Sequence, residues 1–345
     1  MSEKTELPPP RFLFLDLNLR CNLRCQHCMY WKAKPEDTEA QISIERRDEI
    51  IREFAELSPQ GSVVLCGGEK LLDPDRYFAA TARCAQSGLR CIATSNGTTI
   101  SSTRMADWMV EQGPNEITVS LNSHRREVHD RSRGVTGSFD AAVGALRRLL
   151  ASRAQHGRGP KIFAMAVVCK WNYRELDPFY DFVLNDIGAD KLKLNFLQPT
   201  FGPPTWWFLD SYFAKNVIRD AEELARIIRA CDEKYHLRIN PLWLEQVKMY
   251  HRSVRKNGWA WLGWRLGGQT EEHICNSYER NIMVDLRGRA RLCFNPVFPA
   301  CQLSAPGDLR RFWEGSGELR EQMRRCNRYC AISHSVRRES ATLRA

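Results

Sequence analysis

The sequence predicts an α/β protein: a partial (β/α)6 TIM-like barrel followed by a small C-terminal α+β domain. Three observations predict it. Strand-like and helix-like segments alternate six times between residues 11 and 240. The first strand, Arg11 to Leu17 (RFLFLDL), is almost wholly apolar, as parallel strands covered on both faces are. After Asn240 the alternation stops, and cysteines reappear at new spacings.

The elements follow in order. Ile44 to Leu57 reads as a helix, with Ser43 as its N-cap and Ile50, Phe54 and Leu57 on one apolar face. Further strands fall near Ser62–Cys66, Leu89–Thr94, Glu116–Leu121, Lys161–Val168 and Lys191–Leu197. Further helices fall near Asp75–Gln86, Thr103–Glu111, Phe139–Arg153, Glu175–Leu184 and Asp220–Tyr235. Six units are fewer than a closed eight-unit barrel needs, so one side stays open. Ligands then belong in the loops at the C-terminal ends of the strands. Three regions are expected: a barrel over 11–240, a Trp- and Gly-rich linker over 241–271 containing Trp259, Trp261 and Trp264, and a cysteine-bearing domain over 272–335. In the last, Asn281–Leu286 and Arg289–Phe294 read as a hairpin turned at Arg287-Gly288, and Leu319–Cys326 reads as a helix.

Composition narrows the function classes. The chain has 345 residues, 43% of them hydrophobic, which suits a substantial core. No apolar run approaches the roughly 20 residues of a membrane span. Met1 to Pro10 is polar and proline-rich, unlike a signal peptide, so a cytoplasmic protein is expected. Thirteen cysteines, an odd number, fit metal or cluster ligation better than a disulfide framework. The formal net charge of +10 has two readings: a solvated surface, or attraction for an anionic partner such as a phosphorylated or carboxylated small-molecule substrate or RNA. No nucleic-acid fold motif is present, which makes RNA the minor option.

The first motif is Cys21-Asn22-Leu23-Arg24-Cys25-Gln26-His27-Cys28, directly after the first strand. A [4Fe–4S] cube has four irons, and three thiolates leave one open to bind a small ligand. The alternative is a zinc site with His27 as the fourth ligand, although zinc usually draws paired ligands from separate segments. The spacing C-x3-C-x2-C resembles the signature of the radical S-adenosylmethionine superfamily. The resemblance implies that Cys21, Cys25 and Cys28 hold a [4Fe–4S] cluster whose open iron chelates S-adenosylmethionine, that reductive cleavage then yields a 5′-deoxyadenosyl radical, and that a flavodoxin- or ferredoxin-type donor supplies the electron. It places His27 near the adenine.

Further motifs extend the resemblance in the family's order. Cys66-Gly67-Gly68-Glu69 resembles the GGE motif, which implies that Gly67, Gly68 and Glu69 bind the methionine amino group; Lys70 stands where relatives often have proline. Thr94-Ser95-Asn96-Gly97 resembles the T-N-G turn, and Ser120-Leu121-Asn122 ends the next strand. The resemblance implies cofactor contacts for Ser95, Asn96, Ser120 and Asn122, the last two on the ribose or methionine part. His129-Asp130 and Arg133-Gly134 resemble an H-D-x-x-R-G stretch, in which Arg133 would grip the cofactor carboxylate.

A second set, Cys275, Cys293, Cys326 and Cys330, resembles the ligands of the twitch domain, a truncated SPASM domain, which implies one auxiliary [4Fe–4S] cluster. Cys301 is a reserve ligand, and a structural zinc site or unligated thiols are the alternatives. Cys66, Cys84, Cys91, Cys169 and Cys231 read as core residues. Lys170, Gln198 and Tyr212 are placed to face the barrel mouth. The expected reaction is a radical modification, oxidative or rearranging, of a small polar metabolite such as a sugar, aminocyclitol or nucleoside. Maturation of a ribosomally made peptide is an alternative, with Phe201 to Phe213 as a possible groove; a non-catalytic iron–sulfur redox sensor is another.

Overall fold

Period-two alternation gives each barrel strand two different faces. In β1 (Phe12–Asn18), Leu13, Leu15 and Leu17 are buried under helices, while Phe12, Phe14 and Asp16 lie on the opposite, lumen-facing side. In β4 (Glu116–Ser120), Ile117 and Val119 face the helices, and Glu116 and Thr118 line the lumen. The computed structural model describes residues 7–198, 211–256, 277–294 and 298–324. Among these, β1, β2 (Ser62–Gly67), β3 (Arg90–Ser95), β4, β5 (Lys161–Val168) and β6 (Lys191–Phe196) run parallel in sequence order, as a half-open (β/α)6 barrel requires.

Helices α1 (Pro35–Glu39), α2 (Ile44–Leu57), α3 (Pro74–Gln86), α4 (Thr103–Glu111), α5 (Arg126–Arg133) and α6 (Ser138–His156) fall between the first five strands. Capping sets several boundaries. The Arg46 amide donates to Ser43 Oγ at 3.1 Å, Arg76 to Asp73 at 3.3 Å, and Met105 to Ser102 Oγ at 3.2 Å. Helix α2 spans the residues the sequence predicts, and buries Ile50, Ile51 and Phe54. The expected helix Glu175–Leu184 divides into α7 (Leu176–Asp181) and a π-helical turn, Phe182–Ile187. Helices α8 (Ser211–Asn216), α9 (Ala221–Tyr235) and α10 (Pro241–Lys256) follow β6. The last of these lies within the segment expected to be a linker: its apolar positions Leu244, Val247 and Tyr250 pack into the core.

Strands β7 (Asn281–Val284), β8 (Arg289–Arg291) and β9 (Cys301–Gln302) form the expected hairpin and a short third strand. Rather than standing in a sheet of its own, β7 pairs in parallel with β1, from Phe12 opposite Asn281 to Leu15 opposite Val284. The sheet is therefore continuous from barrel to hairpin. Helices α11 (Asp308–Gly315) and α12 (Gly317–Arg324) then fold back. The Leu309 amide donates to Glu53 of α2 at 3.1 Å, and Arg320 donates to the carbonyls of Tyr278 and Trp313 with its guanidinium 4.3 Å over the Trp313 ring.

Trp313 is 1% exposed. Trp313→Ala is expected to destabilise the protein by about 3–5 kcal/mol, the range for emptying a large aromatic site. The check is the urea midpoint, which falls while its slope stays constant; an unchanged midpoint would mean that α11 and α12 add no packing to the barrel.

Candidate active site

The cysteine loop leaves β1 where the β1–β2 register shifts, between Asp16 and Asn18. Backbone on both flanks then holds it. On the β2 side, the amides of Gly68 and Glu69 donate to the carbonyls of Asn18 and Arg20, both at 2.8 Å. A Cβ on Gly67 would lie 2.0 Å from the Asn18 carbonyl oxygen, and one on Gly68 would lie 2.0 Å from that of Arg20. The motif leads one to expect glycines that admit a ligand; here they admit the cysteine loop itself. On the other flank, the amides of Arg24 and Gln26 donate to the carbonyls of Arg133 and Ser132 at 3.0 and 3.2 Å. Gly134 caps α5 at φ +69°, and its Cβ would meet the Arg24 carbonyl oxygen at 2.4 Å. Within the loop, Trp31 Nε1 donates to the Cys25 carbonyl at 2.9 Å.

The three thiols sit among polar donors. Asn96 Nδ2 approaches Cys21 Sγ at 3.9 Å, and Arg133 Nη1 approaches Cys25 Sγ at 3.6 Å. Burial pushes the Cys28 thiol up to about 11 and raises that of Cys21, with the Cys25 thiol adding to both shifts. Thiols in this state shed protons when a cationic metal core arrives to offset the charge. Among the described residues, no three His, Cys, Asp or Glu side chains converge as a single-ion site. Three Cys thiolates in one loop are the ligand type and number that a [4Fe–4S] cube with one open iron takes. The donor set fits a cluster.

Around the loop, Glu69 is 1% exposed. Its carboxylate accepts from Ser95 Oγ at 3.0 Å, the Asn96 amide at 2.7 Å and the Leu71 amide at 3.3 Å. It thereby ties β2 to the β3 turn, with one of its roughly four acceptor positions left over. Asn96 also donates to Asn22 Oδ1 at 2.9 Å, another bond onto the cysteine loop. Ser120 ends β4 near the lumen, 8% exposed. His27 lines the lumen, and burial together with Arg133 holds its ring neutral, pushed down to about 3. Its Nδ1 is buried with no partner among the described residues.

Two residues expected to contact the cofactor have their polar groups engaged within the protein. Asn122 is fully buried, and its polar groups are used internally. Its side chain bonds Ser132 Oγ, Arg133 Nη2 and the Val167 amide, while its backbone bonds His129 Nδ1 and Asn172 Nδ2. Asn122 therefore locks α5 onto β4 and β5. Arg133, 6% exposed, directs Nη1 to Cys25 and Nη2 to Asn122 instead of presenting a fork to a carboxylate.

A cavity of about 920 Å³ runs beneath the loop through the barrel. Cys66, expected in the core, lines this lumen because it shares the inner face of β2 with Val64. Gln198 lines the lumen as expected, but Lys170 and Tyr212 are not among its walls. Cys84, Cys91, Cys169 and Cys231 are buried. Sequence reasoning missed Asp16, whose neighbour across the sheet is Cys66. Burial, then the Asp285 carboxylate, pushes Asp16 up from 3.8 to about 7. Its signal was a single acid on the inner face of an otherwise apolar strand. Of the second cysteine set, Cys293 is half-buried against the core and Cys301 is exposed on β9. Cys275, Cys326 and Cys330 lie outside the described residues, as do Trp259, Trp261, Trp264 and 201–210.

Two outcomes follow. Gly68→Ala is expected to keep the helical circular dichroism yet bind less iron on reconstitution, because the new Cβ displaces the cysteine loop. Gly315→Ala, with nothing within 4 Å, is the neutral control. Asp16 binds its proton more tightly folded than unfolded, so it makes stability fall as pH rises between 3.8 and about 7. Asp16→Asn should flatten that fall in thermal melts and raise the midpoint at pH 8; an unchanged profile would show that Asp16 titrates normally.

Comparison with known proteins bears on this geometry. The family model for the radical SAM superfamily matches residues 17–183. The Fe-coproporphyrin III synthase of Methanosarcina barkeri is 33% identical over 168 residues, which cover 48% of this chain and 39% of that protein. The mycofactocin maturase MftC of Mycobacterium tuberculosis is 32% identical over 200 residues, covering 56% of this chain and 46% of its own. The chain thus spans less than half the length of either relative. The solved structure of native anSMEcpe with bound AdoMet shares the fold, with a TM-score of 0.57 over 87% of this chain and 79% of that one at 14% identity. No helix among the described residues is long and apolar enough to cross a membrane. Strand order, motif order and family match coincide on the same stretch, and residues 17–183 form a radical SAM superfamily domain.

Proposed function

We propose that Cys21, Cys25 and Cys28 hold a [4Fe–4S] cluster and that the chain cleaves S-adenosylmethionine to modify a substrate held in the barrel lumen. One observation carries the reading: a three-thiol loop, clamped by backbone on both flanks, stands over a 920 Å³ lumen at the C-terminal ends of parallel strands. When bound, such a cluster supplies the electron that breaks a carbon–sulfur bond of the cofactor, giving methionine and a 5′-deoxyadenosyl radical that abstracts hydrogen. The chain's own groups position and shield. Neutral His27 offers a flat, uncharged surface for the adenine. Ser95, Asn96 and Glu69 fix the loop that faces the methionine end, and Gly67 and Gly68 set its height. Ser120 presents a hydroxyl at the end of β4. Arg133 donates toward Cys25 Sγ, and its positive charge favours ionisation of Cys28.

For the substrate, we favour a small metabolite with a polar, anionic group. The names of two relatives, the mycofactocin maturase MftC and the subtilosin biosynthesis protein AlbA of Bacillus subtilis, support a second reading, a ribosomally made peptide. We further propose one auxiliary cluster on Cys275, Cys293, Cys326 and Cys330, within a C-terminal unit over 272–335 joined to the barrel unit by 241–271, and reduction by a flavodoxin- or ferredoxin-type donor.

Anaerobic reconstitution is expected to load about eight irons per chain, two cubes of four. With dithionite and S-adenosylmethionine, the protein should release 5′-deoxyadenosine. The triple variant Cys21→Ala, Cys25→Ala, Cys28→Ala should retain about four irons and release none. A triple variant that still forms 5′-deoxyadenosine would sink the assignment. Wild-type protein that forms none with any candidate substrate would favour a redox sensor.

A further inference from the structure

The parallel topology collects cations at one end of the lumen. Arg11 immediately precedes β1 and Arg280 immediately precedes β7, while Arg90, Lys161 and Lys191 open β3, β5 and β6. All these strands run in the same direction, so these residues share the N-terminal mouth of the barrel, opposite the cysteine loop. Arg90, Lys191 and Arg238 are exposed to solvent at this mouth. Here Arg90, Lys191, Lys193, Arg238 and Arg280 line the cavity, and Glu116 is its one carboxylate among the described residues. Glu116 is already bonded to Arg90 at 2.7 Å and to Lys193. The neighbouring acids point elsewhere: Asp190 is held by Arg153 at 2.9 Å, and Asp232 accepts the Ile239 amide at 3.1 Å. Glu116 is thus taken up by Arg90 and Lys193, and Lys191 and Arg238 leave this mouth with an excess of positive charge.

The middle of the same cavity is apolar, walled by Phe14, Val64, Ile92, Met165, Val167 and Trp243, and its far end is reached by His27 and Cys66. From Glu116 to Ser120 the wall of β4 measures about 13 Å, at roughly 3.3 Å per residue. A single sugar would fill a small part of a 920 Å³ cavity, which lies near the top of the usual range for small-molecule sites.

We propose that the N-terminal mouth of the lumen is an anion subsite, in which Lys191 and Arg238 hold a carboxylate or phosphate of an elongated acid while its apolar body runs up the lumen toward the cysteine loop. The inference rests on the lumen being the substrate site, and it names the substrate's chemical class and orientation. The summed field of these cations draws anions to the mouth from solution.

The test uses anaerobic holoprotein and calorimetric titration with three shape-matched probes: 4-phenylbutyrate, 4-phenylbutylphosphonate and uncharged 4-phenylbutanamide. One or both acids should bind about tenfold or more tightly than the amide, as expected for a charge-assisted bond, and which acid wins distinguishes carboxylate from phosphate chemistry. Lys191→Glu and Arg238→Glu should each remove most of that preference with the fold intact by circular dichroism. Equal binding of acids and amide, or a preference that survives both reversals, overturns the subsite. Substrate-free release of 5′-deoxyadenosine is measured alongside: its loss in wild-type protein counts against the radical reading, whereas its persistence without acid preference counts against the subsite alone.

Discussion

The site depends on how closely two stretches of backbone can approach the cysteine loop. A loop with three cysteines and no ladder of its own has buried amides and carbonyls that need partners. The β2 turn supplies two amides on one side, and the last turn of α5 supplies two carbonyls on the other. Both approaches are too close for a side chain, which is why Gly67, Gly68 and Gly134 stand at the points of contact. The family's glycine motifs therefore have a structural meaning that precedes any ligand: they set the position of the thiols relative to the strands.

A second layer holds that clamp in place. Glu69 joins β2 to the β3 turn, and Asn122 joins β4, β5 and α5. Each is buried with its hydrogen-bonding capacity largely used, so removing either would strand several partners at once. Arg133 links this layer to the loop through Cys25 and Asn122. Lys70 adds a buried ammonium, bonded to the Gly68 carbonyl at 3.3 Å, whose charge favours ionisation of Cys21. The lysine that replaces the usual proline after the GGE motif therefore makes the site more electropositive, and it also donates back onto the turn that holds the loop.

Much of this is legible in the sequence because periodicity and capping are local. The six strands, the span of α2 with Ser43 as its cap, and the order of the motifs at strand ends all follow from neighbours along the chain. What escapes depends on contacts distant in sequence. Asn122 and Arg133 sit where cofactor contacts are expected, but whether their side chains point outward or into the α5 packing is decided by Ser132, Val167 and Asn172. Helix α5 is visible in the sequence chiefly as a motif, although Gly134 behind Arg131 and Arg133 is a helix stop signal. Cys66 looks like one more apolar strand residue until strand parity assigns it to the lumen. The parallel pairing of β7 with β1 joins residues from opposite ends of the chain, and no local pattern encodes it.

That pairing changes the role of the C-terminal segment. A domain appended through a linker could move relative to the barrel, whereas a hairpin bonded to β1 forms part of the barrel wall. Phe294, just after β8, packs edge-on against Phe14 with ring centroids 4.6 Å apart, and both residues line the lumen. The turn after β7 brings Asp285 close enough to raise Asp16 at the mouth of β1. Cys293 lies beside Phe294 in the chain, so the same β1–β7 ladder that closes the barrel also holds this thiol within one residue of the lumen wall.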